Sequence, residues 1–287
     1  MKANPELFKK GDMSLKVVII LPTFNERENI GAIIGALQDQ FRSTGHDMHI
    51  LVVDDNSPDG TAEALRGLQT EYNNVHLLQG EKSGLGAAYI RGMRHDLDDL
   101  NADLVFEMDA DFSHKPADVV RLMSEIEAGA DFVIGSRYVK GGTIPREWGL
   151  LRRLNSMGGN IAARYIAGIS QIRDCTAGFR AIRASLLRRI DLNGLRVQGY
   201  AFQVALLHAA IAEGGKIKEI PVDFVDREHG ESKFGFPDIL EFLINVWSIR
   251  LLSSTTFIKF AVVGASGVLV NLGFFTLFLL AGINRFI

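Results

Sequence analysis

Short, wholly apolar runs alternate with longer segments whose apolar residues recur every three or four positions across the first half of this chain. Lys16-Val-Val-Ile-Ile-Leu21 is a continuous, largely β-branched run, the pattern of a strand covered on both faces. Asn25 and Glu28 behind it have the spacing of a capping box, and Ile30, Ile33, Ile34, Leu37 and Phe41 then follow at helical period. Ile50-Leu-Val-Val53, Val75-His-Leu-Leu78, Leu104 to Met108 and Asp131-Phe-Val-Ile-Gly135 read as further strands. The segments 61–68, 84–93 and 116–126 between them read as helices. This alternation predicts an α/β, Rossmann-like domain with a mostly parallel sheet.

The predicted strands share a feature at their C-terminal ends. The stretches from Pro22 to Glu26, Asp54-Asp55, Asp109-Ala110-Asp111 and Arg137 each follow a strand directly. In such sheets ligands bind outside the carboxyl ends of the strands, so four separate stretches are expected on one rim. Two carboxylates one residue apart suit a hard divalent cation shared with substrate phosphates. Gly84-Leu-Gly86 opens a helix, but Tyr89 stands where the last glycine of a dinucleotide fingerprint belongs. No Ser-His-Asp or Cys-His pattern and no zinc-type spacing stands out, and His114 reads equally well as a surface residue.

The pattern changes after Arg137. Residues 147–168 carry Trp148, Leu151, Leu154, Ile161 and Tyr165 near helical spacing, with Arg152, Arg153 and Arg164 between them. A basic amphipathic segment of this kind suits a membrane interface or the domain core. Residues 174–180 read as a polar loop, 197–212 as a helix, 217–225 as a strand and 226–233 as a mobile loop. A second amphipathic stretch covers 237–252 and leads to Ala261–Leu280, twenty residues without a charge. About 20 apolar residues match the thickness of a hydrocarbon core, so this segment is expected to span a membrane.

Composition and charge sharpen this picture. With 47% hydrophobic and 23% charged residues, most of the 287-residue chain is expected to pack. The net charge of -3 hides an uneven distribution: 140–190 holds ten Lys/Arg against Glu147 and Asp174, a net +8 that suits an anionic partner. The single Cys175 excludes an intrachain disulfide and fits a reducing compartment. Met1 to Lys16 has no apolar core, so it is not read as a signal peptide.

Seven segments in order carry a family resemblance: PTFNERENI (22–30), VVDDNSPDGT (52–61), GLGAAYIRGM (84–93), MDADFSHKP (108–116), GSRYVKGG (135–142), CTAGFR (175–180) and DREHGESKFG (226–235). They resemble family 2 glycosyltransferases of GT-A fold, and more closely dolichyl- or polyprenyl-phosphate mannose synthases. The segment FIKFAVVGASGVLVNLGFFTLFLL is similar to the first span of a GtrA-like membrane module. The resemblance implies an N-terminal tail (1–15), a GT-A catalytic domain (16–235), an amphipathic interface segment (236–256) and a transmembrane segment (257–287). It implies GDP-mannose as donor, a polyprenyl or dolichyl monophosphate as acceptor, Mg²⁺ or Mn²⁺ as cofactor and the lipid bilayer as a partner. Nucleic acid has no place in it, and it leaves the oligomeric state open. Carried over by position, it puts Pro22, Phe24 and Glu26 beside the nucleotide and Val53 and Asp55 against base or ribose. Asp109 and Asp111 become metal ligands, with Ala110 against the donor. Ser113 stands where some relatives have a third metal-site Gln. Arg137, Arg227 and Lys233 bind diphosphate or sugar, and Arg180 with Thr176 receives the acceptor phosphate. By the positive-inside rule, Lys259 and the basic domain belong on the cytoplasmic face. UDP-glucose or another nucleotide sugar is the alternative donor. A catalytically silent membrane scaffold and a soluble glycosyltransferase acting on protein or polysaccharide are the readings of other kinds.

Overall fold

A computed structural model describes residues 14–145, 148–195, 201–226, 242–249 and 255–280. Arg227, Lys233, and with them most of the loop expected over 226–233, lie outside the described residues.

Seven strands form one sheet: β1 (Lys16–Thr23), β2 (Asp47–Asp54), β3 (Val75–Gln79), β4 (Leu104–Glu107), β5 (Phe132–Ser136), β6 (Arg180–Arg183) and β7 (Ile217–Pro221). Their order is β3-β2-β1-β4-β6-β5-β7. β6 runs antiparallel to both β4 and β5, and every other pairing is parallel. The chain steps outward from β1 through β2 to β3, then returns to the other side of β1 with β4. The carboxyl ends of β1 and β4 therefore flank a topological switch point, where open α/β sheets bind ligands.

Both faces of the sheet are buried, which explains the unbroken apolar runs. Because side chains alternate along a strand, Val18 and Ile20 enter one core while Val17, Ile19 and Leu21 enter the other. The second core is closed by α1 (Arg27–Phe41) and α4 (Asp118–Glu127). α4 presents Val119, Leu122, Met123 and Ile126 to it, the i, i+3, i+4, i+7 stripe of a one-sided helix. Each such side chain contributes roughly 1.5–3 kcal/mol on full burial. α2 (Thr61–Gln69) adds Leu65. The first core is closed by α3 (Leu85–His95) and α7 (Ala201–Ala212), with the short α6 (Ala184–Leu187) at its edge.

Among the described residues, three helices lie outside these two helical layers. α5 (Leu150–Ile166) buries Asn160 and Ala163. It leaves Leu150, Leu154, Met157, Ile161 and Tyr165 exposed at spacings of four, three, four and four residues, a continuous apolar stripe. α8 (242–249) buries Phe242 and Val246 and exposes Ile244 and Trp247. A Cβ added at Gly159 of α5 would lie 3.8 Å from the Phe242 ring, so the two helices are neighbours. α9 (Thr255–Leu280) contains Val262–Leu280, which is long and apolar enough to cross a membrane, and its described side chains are exposed.

Two local expectations fail. Asn25 and Glu28 form no capping box: Asn25 adopts a left-handed conformation (φ 63), and Glu26 is the N-cap, without a side-chain cap bond. The segment read as a loop through Arg180 ends in β6, a four-residue strand with a charged residue at each end.

Candidate active site

The rim of β1 and β2 is built around a buried carboxylate. Asp54 Oδ1 accepts hydrogen bonds from Thr23 Oγ1 (3.0 Å) and Ser57 Oγ (2.5 Å), and Oδ2 accepts from the Ser57 backbone N–H (2.9 Å). Asp54 is thus spent on the turn, and Asp55 beside it is buried as well. Arg91 of α3 donates to Asp55 Oδ1 at 2.6 Å and holds it. Pro22 is half-buried and Phe24 exposed, with Lys82 Nζ 3.3 Å from the centre of the Phe24 ring. Glu26 Oε2 accepts from Asn29 Nδ2 at 2.7 Å. The Val53 side chain does not belong to this surface: it is fully buried in the core beside α3, so it is not the group that would meet a base or ribose.

At the end of β4, Asp109, Ala110 and Asp111 form a tight loop. Phe112 is left-handed (φ 60), a conformation costly for a bulky side chain and found mostly where surrounding structure imposes it. Asp109 is about a third exposed, whereas Ala110, Asp111 and Ser113 are buried. Asp111 Oδ1 accepts from the Ser113 N–H at 3.1 Å. The buried Ser113 Oγ has no hydrogen-bond partner among the described residues, an acceptor left over beside two carboxylates. No group of three acids, histidines or cysteines able to hold a metal ion is found among the described residues. Two carboxylates and a spare hydroxyl fit a hard cation that takes its remaining oxygens from water and phosphate.

His114 is the residue that sequence reasoning undervalued. It is buried, stacks on Phe179 (ring centres 5.0 Å apart) and meets the edge of Phe224 (5.6 Å). Its Nδ1 accepts the Asp109 backbone N–H at 3.1 Å. Burial pushes its pKa below the usual imidazole value, although Asp109 and Asp111 pull the other way. A neutral ring accepting at Nδ1 carries its proton on Nε2. His114 therefore holds the Asp109 main chain as a fixed acceptor. Gly178 passes beside both residues: a Cβ there would stand 3.7 Å from His114 Cε1 and 3.9 Å from each Asp109 carboxylate oxygen.

Arg137, just beyond β5, is clamped by Asp174. The Arg137 backbone N–H, Nε and Nη2 donate to the Asp174 carboxylate at 2.9, 2.8 and 2.7 Å, and Nη2 also reaches Thr176 Oγ1 at 3.0 Å. Burial raises the pKa of Asp174, but the Arg137 charge and its hydrogen bonds outweigh it and leave the carboxyl below its ordinary value. The turn behind Arg137 has no room for a side chain at Gly142, where a Cβ would lie 2.4 Å from Ser136 O.

Arg180 is not where an acceptor phosphate could meet it. It is fully buried between sheet and helices, donating to Gln203 O (2.8 Å) and Cys175 O (2.9 Å). Its Nε lies 3.7 Å from Glu107 Oε2, and the two residues face each other across β4 and β6. Burial pushes Glu107 up to about 7, against the pull of Arg180. The alternation that puts Arg180 on the same face as Ile182 sends its side chain under the rim rather than over it. Thr176, by contrast, is at the rim with Arg137.

The carboxylates thus stand at the switch point of a mostly parallel sheet, where open α/β sheets bind ligands, and the clamped arginine stands at the end of β5, two strands away. Residues 18–191 match the model of Glycosyl transferase family 2, and the chain belongs to that family. It is 42% identical over 239 residues to a polyprenol monophosphomannose synthase of Mycolicibacterium smegmatis, covering 82% of this chain and 88% of the relative. It is 33% identical over 274 residues to a dolichol-phosphate mannosyltransferase of Pyrococcus furiosus, covering 94% and 74%. Among solved structures, glucosyl-3-phosphoglycerate synthase of Mycobacterium tuberculosis, in complex with Mn²⁺, UDP-glucose and phosphoglyceric acid, superposes with a TM-score of 0.61 at 15% identity, covering 84% of this chain and 81% of that one. The fold is GT-A.

Proposed function

We propose that the protein transfers mannose from GDP-mannose to a polyprenyl or dolichyl monophosphate, with inversion at the anomeric carbon and with Mg²⁺ or Mn²⁺ as cofactor. The observation that carries this reading is that α5, tied to the rim through Asn160–Thr176 and Ser156–Tyr138, turns an apolar stripe outward that suits a lipid surface. The mannosyltransferase names of the relatives support the sugar and the acceptor class.

Asp109 and Asp111 would hold the divalent ion, with Ser113 as a further oxygen. When bound, the ion offsets negative charge on the leaving diphosphate. Asp55, kept in place by Arg91, contacts the nucleoside, with Pro22, Phe24 and Glu26 along the same edge. Arg137 faces the diphosphate and sugar, and its Asp174 clamp keeps it oriented without reorganisation during transfer. Arg227 and Lys233 complete the donor contacts in this reading. Thr176 serves the acceptor side. A phosphate monoester, with a second pKa of about 6, arrives largely as the dianion and needs no strong general base. His114 has its Nδ1 occupied by the Asp109 N–H and is a scaffold rather than a base.

The catalytic domain (16–235) would sit on the cytoplasmic face, with 236–256 in the interface and 257–287 as the membrane segment. The test combines membranes carrying the protein, a short-chain polyprenyl phosphate and a panel of labelled nucleotide sugars, with and without a chelator. A lipid-linked product from GDP-mannose that disappears on chelation is expected. Product only from UDP-glucose, or none from any sugar, rejects the proposal.

A further inference from the structure

We infer that Asn160 is a positioning residue for the transfer reaction, holding Thr176 and through it Arg137 in place. This rests on the reading of Arg137 as a donor-facing group. Asn160 lies on α5, far from the rim residues in sequence, and makes no contact that a motif would reveal.

The geometry is a closed relay. Asn160 is buried, and its Nδ2 donates to Thr176 Oγ1 at 3.0 Å and to Ser156 O at 3.2 Å. Its Oδ1 accepts the Cys175 N–H at 2.8 Å. One amide thus grips a side chain and a main-chain N–H of the same loop, on consecutive residues. Thr176 Oγ1 also accepts from Arg137 Nη2, so both of its acceptor positions are taken and its hydroxyl is fixed. On the other flank, Glu219 of β7 accepts the Arg173 and Asp174 N–H groups, each at 2.9 Å. Residues 173–176 are therefore tied at one end to the sheet and at the other to α5. Asp174 and Thr176, both hydrogen-bonded to the Arg137 guanidinium, lie within this tied segment.

The rest of α5 explains why an asparagine is used. The helix turns Ser156, Asn160 and Ala163 inward and Leu150, Leu154, Met157, Ile161 and Tyr165 outward. Ser156 makes a second link to the same strand end, with Tyr138 Oη 2.7 Å from its Oγ. An apolar residue at 160 would leave the buried Cys175 N–H without its acceptor and would remove one of the two donors to Thr176 Oγ1. An unpaired buried polar group costs about 1–3 kcal/mol, enough to favour a shifted loop. A shift of the loop moves Asp174, and Arg137 follows it.

The experiment is a double-mutant cycle on the full-length protein with polyprenyl phosphate, read with whichever nucleotide sugar the native protein turns over. A failure of GDP-mannose as donor would thus count against the proposed function and leave this measurement intact. Asn160→Ala and Thr176→Val are each expected to lower kcat about tenfold per folded molecule, equivalent to the loss of one buried hydrogen bond, with the nucleotide-sugar KM within about twofold of native. The double variant is expected to lose little more than either single one, because both break the same relay. Thr176→Ser, which keeps the hydroxyl in a similar volume, is expected to restore most of kcat. Losses that multiply in the double variant would overturn the inference. So would an equal loss in Thr176→Ser and Thr176→Val, or a kcat that returns to native once corrected for the folded fraction.

Discussion

Replacing Arg180 by methionine separates two roles for this residue, a contact to the acceptor phosphate and a buried support for the rim. The side chain is fully buried and donates to Gln203 O and Cys175 O while standing opposite Glu107. Removing one partner of a buried ion pair costs about 3–5 kcal/mol, because the remaining charge keeps its desolvation penalty. The two carbonyls that lose their donor add to this, although not in full, since they share the same cavity. A total of about 4–5 kcal/mol is a large part of the roughly 5–15 kcal/mol that holds a domain folded. At about 2–4 °C per kcal/mol for a domain of this size, the melting temperature should fall by about 8–20 °C. Tryptophan fluorescence of the full-length protein in detergent reads this directly. Adding Glu107→Met should recover most of the loss, since the isolated carboxylate is then gone. The pH dependence has a definite sign. The folded-state pKa of Glu107 is raised to about 7, above its ordinary value of 4.5. Its contribution is therefore most favourable below the unfolded value and is lost as pH rises through about 7. The deficit of Arg180→Met should accordingly shrink as pH falls from 8 toward 5, where Glu107 takes up a proton. An Arg180→Met protein that melts like the native one but has a strongly raised KM for lipid phosphate would refute the buried-support assignment.

Three further outcomes follow from the same geometry. His114→Leu removes the acceptor of the Asp109 N–H and should shift half-maximal activation by Mn²⁺ to higher concentration by about tenfold, as outer-shell losses do at metal sites; His114→Gln should recover part of this, as read in a metal titration of activity. Gly142→Ala drives a methyl group against Ser136 O and Arg137, so kcat should fall by at least tenfold while vesicle binding is unchanged, measured on the same preparation. Leu154→Glu with Ile161→Glu places two charges in the exposed stripe of α5; a version of the protein cut before 255 should lose sedimentation with anionic vesicles while its melting temperature stays within about 2 °C.

Much of this fold was legible in the residues because the sheet is buried on both faces. A strand such as β1, with Val17 to Leu21 fully enclosed, leaves a run that no other element mimics as well. The rim was legible for a related reason: polar residues placed directly after such runs, as at Asp55, Asp109 and Arg137, have little choice but to stand at its edge. β6 escaped because it is short, bears arginines at both ends and pairs only with distant strands. Arg180 was misplaced along with it, since an arginine beside Gly178 reads as a solvated loop until its strand neighbours turn it inward. Val53 was assigned to the nucleoside by its place in a motif, whereas the strand's alternation commits its side chain to the core. The supports of the site, His114 on Asp109, Asp174 on Arg137 and Asn160 on Thr176, act through hydrogen bonds between residues far apart or unremarkable in type. No periodicity records such a bond.

The antiparallel course of β6 has a geometric consequence for what the rim can accept. Neighbouring strands lie about 4.8 Å apart, so inserting one strand between β4 and β5 sets the ends of those strands about 9.6 Å apart. The acids leave the sheet on one side of this interval and the arginine on the other. Because β6 runs antiparallel and starts at the rim, the loop that contains Gly178, and not a third parallel strand's carboxyl end, lies there between them. The sheet order thus separates the strand end that carries the acids from the one that carries the arginine by the width of one intervening strand.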